Sequence, residues 1–139
     1  MRLRLLVFLL TMIVATPAMA AQVAVTVDIS EQKMYVRVGM FTQYTWDVST
    51  ARKNYRTPVG TFQPTRMHER YFSQKYDGAP MPYSIFFYGG YAIHGTTDLA
   101  RLGTPASHGC IRLDPANAQK LFTLVKKNGA NNTRIDVRS

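Results

Sequence analysis

The amino-acid sequence predicts a mostly β domain with one principal helix. Short runs of alternating apolar and polar residues recur along the chain, separated by turn-forming residues. One stretch after Asp114 switches to helical spacing, and a last alternating run follows it. No internal repeat, low-complexity tract or interdomain linker breaks the pattern, so a single domain with a single core is expected.

Residues 22–28 alternate and read as the first strand. Ser30-Glu31-Gln32 forms a turn, and 33–38 alternates again, which makes a hairpin. A third strand, 43–49, follows Gly39-Met40-Phe41, with Trp46 as a core or sheet-face aromatic. Residues 51–58 are polar and basic (Arg52, Lys53, Arg56), and 59–62 form a short strand. Between 66 and 82 the periodicity is lost. A loop of that length in a small domain is functional or disordered, and Tyr71, Phe72, Tyr76 and Tyr83 favour order. It reads as a lid or cleft wall, with His68 bracing it through hydrogen bonds. Residues 84–88 and 91–93 are apolar enough for central strands, joined by a Gly89-Gly90 turn. His94 therefore emerges at a strand end, and the 96–106 connection swings out and returns toward residue 110. Asp114-Pro115 is an N-cap followed by proline in the first helical turn. Ala118, Leu121, Phe122 and Val125 line one buried face, Lys126 and Lys127 suit the C-terminal dipole, and Gly129 ends the helix. Residues 134–137 close the fold as a strand.

The first twenty residues stand apart. Met1-Arg2-Leu3-Arg4 is a basic start, 5–15 is almost wholly apolar, and Thr16-Pro17-Ala18-Met19-Ala20 ends in a small-x-small pattern. This is the signature of a secretory signal peptide cut after Ala20, leaving 21–139 as the domain. The apolar run is short for a bilayer span, which needs about 20 residues. An uncleaved anchor is the alternative; after cleavage no membrane span is expected. The chain carries 17 basic and 8 acidic residues, a formal charge of +9 that falls to +7 without Arg2 and Arg4. That balance favours an anionic partner, and export points away from nucleic acid and toward a membrane surface or wall polymer. The basic residues are scattered, so a solvated surface explains most of them.

The chemistry concentrates in Ser107-His108-Gly109-Cys110-Ile111-Arg112-Leu113, which holds the one cysteine of the chain. A single cysteine forms no internal disulfide, and in an exported protein it is a free, reactive-capable thiol. The thiolate is the nucleophilic form, so a catalytic cysteine needs a base and an electropositive setting that lowers its pKa. His108 stands two positions before Cys110, His94 sixteen before it, and Arg112 two after it. Gly109 suits a bare turn that aims backbone N–H groups at a developing oxyanion. Spacing alone leaves nucleophile and inert buried thiol both open. Zinc is a third reading, weakened by the lack of a second cysteine or a Cys-x-x-Cys pair.

Ile93-His94-Gly95 followed by Ser107-His108-Gly109-Cys110-Ile111-Arg112-Leu113 resembles the active-site signature of the L,D-transpeptidase catalytic domain, the YkuD-type domain. Thr57-Pro58-Val59-Gly60-Thr61-Phe62, Ala79-Pro80-Met81-Pro82-Tyr83-Ser84 and Gly90-Tyr91 add to the likeness, which runs from about Val23 to the C-terminus. The resemblance implies a β-sandwich and a periplasmic enzyme of peptidoglycan, without a cofactor or metal. It implies attack on the third residue of a tetrapeptide stem, loss of D-alanine, and transfer to an amine.

On that likeness Cys110 is the nucleophile and His94 the base. His108 is auxiliary, with Gly109 and Cys110 N–H groups as oxyanion donors. Arg112, Tyr83 and Gly95 are candidate substrate contacts, Arg112 for a carboxylate unless a salt bridge holds it. Gly95 stands where relatives carry serine, so a backbone carbonyl would orient the imidazole. The acceptor is open: another stem, an envelope lipoprotein lysine, a D-amino acid or water. A hydrolytic carboxypeptidase or amidase and a non-catalytic wall-binding module are the competing readings.

Overall fold

The computed structural model describes Met12 and residues 21–139, so the expected signal peptide lies almost wholly outside the described residues. Among the described residues nine strands form two sheets, accompanied by one α-helix. The strands are β1 (Val23–Asp28), β2 (Lys33–Val38), β3 (Phe41–Asp47), β4 (Gly60–Phe62), β5 (Arg66–His68), β6 (Ser84–Tyr88), β7 (Tyr91–Gly95), β8 (Ile111–Leu113) and β9 (Thr133–Arg138). The helix, α1 (Pro115–Asn128), joins β8 to β9. One sheet runs in the order β3-β2-β1-β9-β4 and the other β5-β6-β7-β8. Two parallel pairings, β1 with β9 and β7 with β8, tie distant parts of the chain together. The mostly β fold with one principal helix is the one expected.

A shared core lies between the sheets. Val25, Val27, Met34, Val36 and Trp46 of the larger sheet meet Ile85, Phe87, Ile93, Ile111 and Leu113 of the smaller. Ala118, Leu121, Phe122 and Val125 of α1 pack into the same cluster, as their spacing required. The Asp114 carboxylate accepts from the Ala116 N–H at 2.8 Å, which caps the helix, and Gly129 ends it at φ 90°. Trp46 is buried and stacks on Tyr44 at 4.8 Å.

The smaller sheet is covered on its other face as well. Phe86, Ala92 and Met81 form a second apolar cluster, joined by Tyr71 and Cys110. The loop after β5 supplies this cover. It is ordered by its own backbone: Ser73 N–H donates to Ala79 O at 2.9 Å, Met81 N–H to Tyr71 O at 2.8 Å, and Tyr83 N–H to Glu69 O at 2.9 Å. His68 braces it through its ring, stacked on Tyr71 at 5.4 Å and edge-on to Phe86. Ring packing replaces the hydrogen bonds expected of it.

Three local expectations change. Residues 66–68, expected in loop, form β5 against β6. Residues 111–113, read only as a motif, form β8 beside β7. The third strand occupies Phe41–Asp47 in place of 43–49, because Val48 N–H turns to Gln32 O and Ser49 bridges to Arg112.

Candidate active site

The parallel β7–β8 pair places the site. Its register sets Ile93 opposite Ile111 and His94 opposite Arg112. In a parallel ladder, paired side chains share a face and alternate residues change face. Ile93 and Ile111 point into the main core, so His94, Cys110 and Arg112 point to the other face, beneath the 69–83 loop. There a cavity of about 460 Å³ is lined by His94, Cys110, His108 and Arg112, together with Tyr76, Lys75 and Asp98. Its size is that of a small-ligand site.

The cysteine turn is held by short polar contacts. Ser107 Oγ accepts from the Gly109 N–H at 3.0 Å and donates to the Cys110 carbonyl at 2.6 Å. Ser107 N–H donates to Thr50 O, and Arg52 N–H donates to Ser107 O, both at 2.9 Å. Thr50 is itself clamped by the Gln32 amide, at 2.6 Å and 2.9 Å. Gly109 has φ 135°, and a Cβ there would lie 2.5 Å from Tyr91 Cε1 and 2.9 Å from Arg56 O. Its bare backbone is therefore required both by conformation and by space. The N–H of Gly109, expected to face an oxyanion, is already spent on Ser107.

His94 is buried, and its Nδ1 lies 2.7 Å from the Gly95 carbonyl oxygen. A carbonyl only accepts, so Nδ1 carries the proton and Nε2 is the free acceptor of the neutral ring. Burial pushes the imidazole down to about 4; the Gly95 carbonyl opposes this and the Arg112 charge adds to it. Burial likewise pushes the Cys110 thiol up, against the Ala92 N–H bond and the Arg112 charge, which both favour thiolate. The electropositive neighbour is present, yet desolvation outweighs it, which reverses the expected lowering. At rest the site holds a neutral thiol and a neutral imidazole.

Arg112 is half-buried in the cavity wall. No ion pair within 4.0 Å engages it among the described residues, so the salt-bridge reading fails. His108 is held by three side chains invisible to sequence reasoning. Its ring stacks on Tyr76 at 4.1 Å, meets Tyr55 edge-on at 4.8 Å, and its Nε2 accepts from Arg52 Nη2 at 3.1 Å. No periodic signal marks such contacts, since they join three loops.

Two expected substrate contacts lie elsewhere. Tyr83 turns away from the cavity and packs edge-on against Phe122 of α1 at 5.7 Å. Gly95 is buried behind His94, where a Cβ would stand 3.0 Å from Pro115 Cα and 3.1 Å from Pro82 Cγ. Its N–H donates to Pro82 O at 2.8 Å. Gly95 holds the histidine through its carbonyl, and neither Tyr83 nor Gly95 lines the cavity. Among the described residues no group of three or more His, Cys, Asp or Glu could hold a metal ion. No described helix is long and apolar enough to cross a membrane.

Comparison with known proteins agrees with this fold. The chain is 35% identical to YciB of Bacillus subtilis (strain 168), an L,D-transpeptidase by assignment only, over 70% of this chain and 58% of that one. The solved L,D-transpeptidase from Mycobacterium smegmatis superposes with TM-score 0.75 at 22% identity, covering 86% of this chain and 59% of that one. LdtMt1, solved in complex with imipenem, superposes with TM-score 0.73 at 21% identity, covering 84% and 59%. The chain thus spans just under three-fifths of these relatives. A sequence model of the L,D-transpeptidase catalytic domain, YkuD, matches residues 22–137, and with a cysteine and histidine sharing one cavity on that fold, the chain belongs to the L,D-transpeptidase catalytic-domain family.

Proposed function

We propose that this chain is a periplasmic peptidoglycan L,D-transpeptidase with Cys110 as nucleophile and His94 as base. The observation that carries the reading is the meeting of Cys110, His94 and Arg112 on one cavity wall, from the adjacent parallel strands β7 and β8 and the turn that leads into β8. Lys75 and Arg112 line the same cavity against a single acidic neighbour, Asp98, which suits a peptide rich in carboxylates. The leader pattern of residues 1–20 supports export.

Because the resting pair is neutral, the thiol proton moves to His94 Nε2 as sulfur attacks the stem carbonyl, and no thiolate stands ready beforehand. The Gly95 carbonyl holds Nδ1–H and stabilises the imidazolium that forms. The oxyanion falls to the Cys110 N–H, a contact worth roughly 3 kcal/mol in comparable sites. As the C–N bond to the terminal D-alanine breaks, His94 returns its proton to the leaving amine, and a thioester remains. An acceptor amine then attacks the thioester and gives its proton to His94. Sulfur leaves, recovers the proton, and the new amide is released. Arg112 holds a substrate carboxylate and offsets charge on sulfur. His108, clamped by Tyr76 and Arg52, fixes the cysteine turn. The amine comes from a second stem or an envelope lipoprotein lysine.

Intact-mass measurement after incubation with a tetrapeptide muropeptide tests the reading. The wild type should carry an acyl adduct that Cys110→Ala lacks, and normal turnover by Cys110→Ala would exclude the mechanism. A carbapenem, such as the imipenem bound by LdtMt1, should give a thioester on the peptide that contains Cys110.

A further inference from the structure

We infer that the tyrosine strip at the β6–β7 turn is a platform for the sugar chain of the wall polymer. This rests on the peptidoglycan reading above and extends it from the stem peptide to its glycan. Tyr88 is 57% exposed, a large aromatic ring with no core to fill. It pairs directly across the turn with Tyr91, so both rings stand on one face. Their planes differ by 24° and their centroids lie 6.3 Å apart, a stacked pair in which the half-buried Tyr91 backs the exposed Tyr88 ring. Phe62 props Tyr88 from beneath at 5.6 Å and is itself packed on the buried Phe87 at 5.2 Å.

The strip joins the cavity. Gly90 and Tyr91 line it, and the Tyr91 ring lies against Gly109, the residue before Cys110. Outward, Gly89 and Gly90 are exposed, and an added Cβ at either would meet nothing within 4 Å. A chain leaving the cavity over this turn therefore passes Tyr91 and then the exposed Tyr88 ring, with no side chain at Gly89 or Gly90 in its way.

Charge separates the two parts. From 84 to 93 the sequence carries no acidic or basic side chain, whereas the cavity carries Lys75 and Arg112. A neutral ligand suits the strip and an acidic one the cavity. An N-acetylated hexosamine chain is neutral, and each pyranose ring presents a face of C–H groups that stacks on an aromatic ring. Its hydroxyl and acetamide groups stay in water. An exposed aromatic ring that adjoins the cavity through Tyr91 gives such a chain a surface to rest on as it leaves the site. The strip would supply wall attachment from within this domain.

The test compares two substrates, a disaccharide-tetrapeptide and the same tetrapeptide without sugar, on the mature chain and its Tyr88→Ala and Tyr88→Phe forms. Tyr88→Ala should raise KM for the sugar-bearing substrate roughly three- to tenfold, the worth of one aromatic stacking contact. It should leave kcat and the KM of the bare peptide unchanged, and Tyr88→Phe should restore the wild-type value. Separately, N-acetylglucosamine tetramer titrated into Cys110→Ala should shift the amide resonances of residues 88–91 in NMR spectra. An equal KM change for both substrates, or a tetramer that leaves those resonances still, would overturn the platform. A change of oligomeric state in Tyr88→Ala would give the strip to a protein contact and overturn it as well. Failure of acylation with both substrates would count against Cys110 chemistry, while the tetramer titration would still decide the glycan site.

Discussion

Acidification should unfold this protein through His94, and the size of the effect follows from its burial. The unfolded chain takes a proton at this imidazole below about 6.5, whereas the folded chain does so only below about 4. Between those values the unfolded state binds more protons, so falling pH favours unfolding. The neutral, buried ring thus contributes its stability fully above about pH 6.5 and loses it as pH falls through the window to about 4. A separation of about 2.5 units corresponds to about 3 kcal/mol, a large share of the 5–15 kcal/mol typical of a domain. His94 is only 6% exposed, so solvent screens little of this. Urea unfolding at intervals from pH 7 to 4.5, on wild type and His94→Gln, measures it. The wild type should lose up to about 1.4 kcal/mol per pH unit below pH 6, and His94→Gln should lose most of that slope whatever its stability at pH 7. Asp28 acts at lower pH: the Ser30 hydroxyl and the Glu31 N–H hold its carboxyl below its usual value, so its contribution fades only as pH falls through that lowered value. Parallel slopes in the two proteins would refute the neutral buried imidazole and the proton-transfer order built on it.

Gly109→Ala should destabilise the fold by roughly 2–5 kcal/mol, from a positive φ and from overpacking against Tyr91 and the Arg56 carbonyl. Thermal denaturation should show a fall on the order of 10 °C, and Cys110 alkylation should change rate with it; an unchanged melting temperature would mean the turn relaxes freely. The pH profile of Cys110 alkylation by iodoacetamide should rise only in the alkaline range, with no plateau near pH 6, since burial raises the thiol. His94→Ala should slow alkylation near neutral pH, where the neutral imidazole takes the thiol proton as sulfur attacks, and His108→Ala should slow it less; the reverse order would exchange the two imidazoles' roles. Gly95→Ser should lower kcat at least tenfold, because its Cβ meets Pro115 and Pro82 and tilts the carbonyl that holds His94 Nδ1. A quantitative assay of stem-peptide turnover reads it directly, and wild-type kcat would show that the pocket yields.

Local pattern was enough for the elements whose faces are one-sided. Val23–Asp28 and Lys33–Val38 alternate because one face meets the core and the other water, and α1 shows its four buried residues at helical spacing for the same reason. The motif around Cys110 was legible too, since a thiol, two imidazoles and a guanidinium within nineteen positions stand out from composition alone. β5 and β8 were not legible: three residues carry too little period, and each owes its strand form to a neighbour. Tertiary structure alone decided that Tyr83 and Gly95 lie outside the cavity lining and that Gly109 N–H serves Ser107. It also decided the protonation of the site. Sequence names the charged neighbour that favours thiolate, but desolvation depends on how much protein closes over the sulfur and the ring. That cover comes from a loop some thirty residues away in the chain, and here it outweighs the charge.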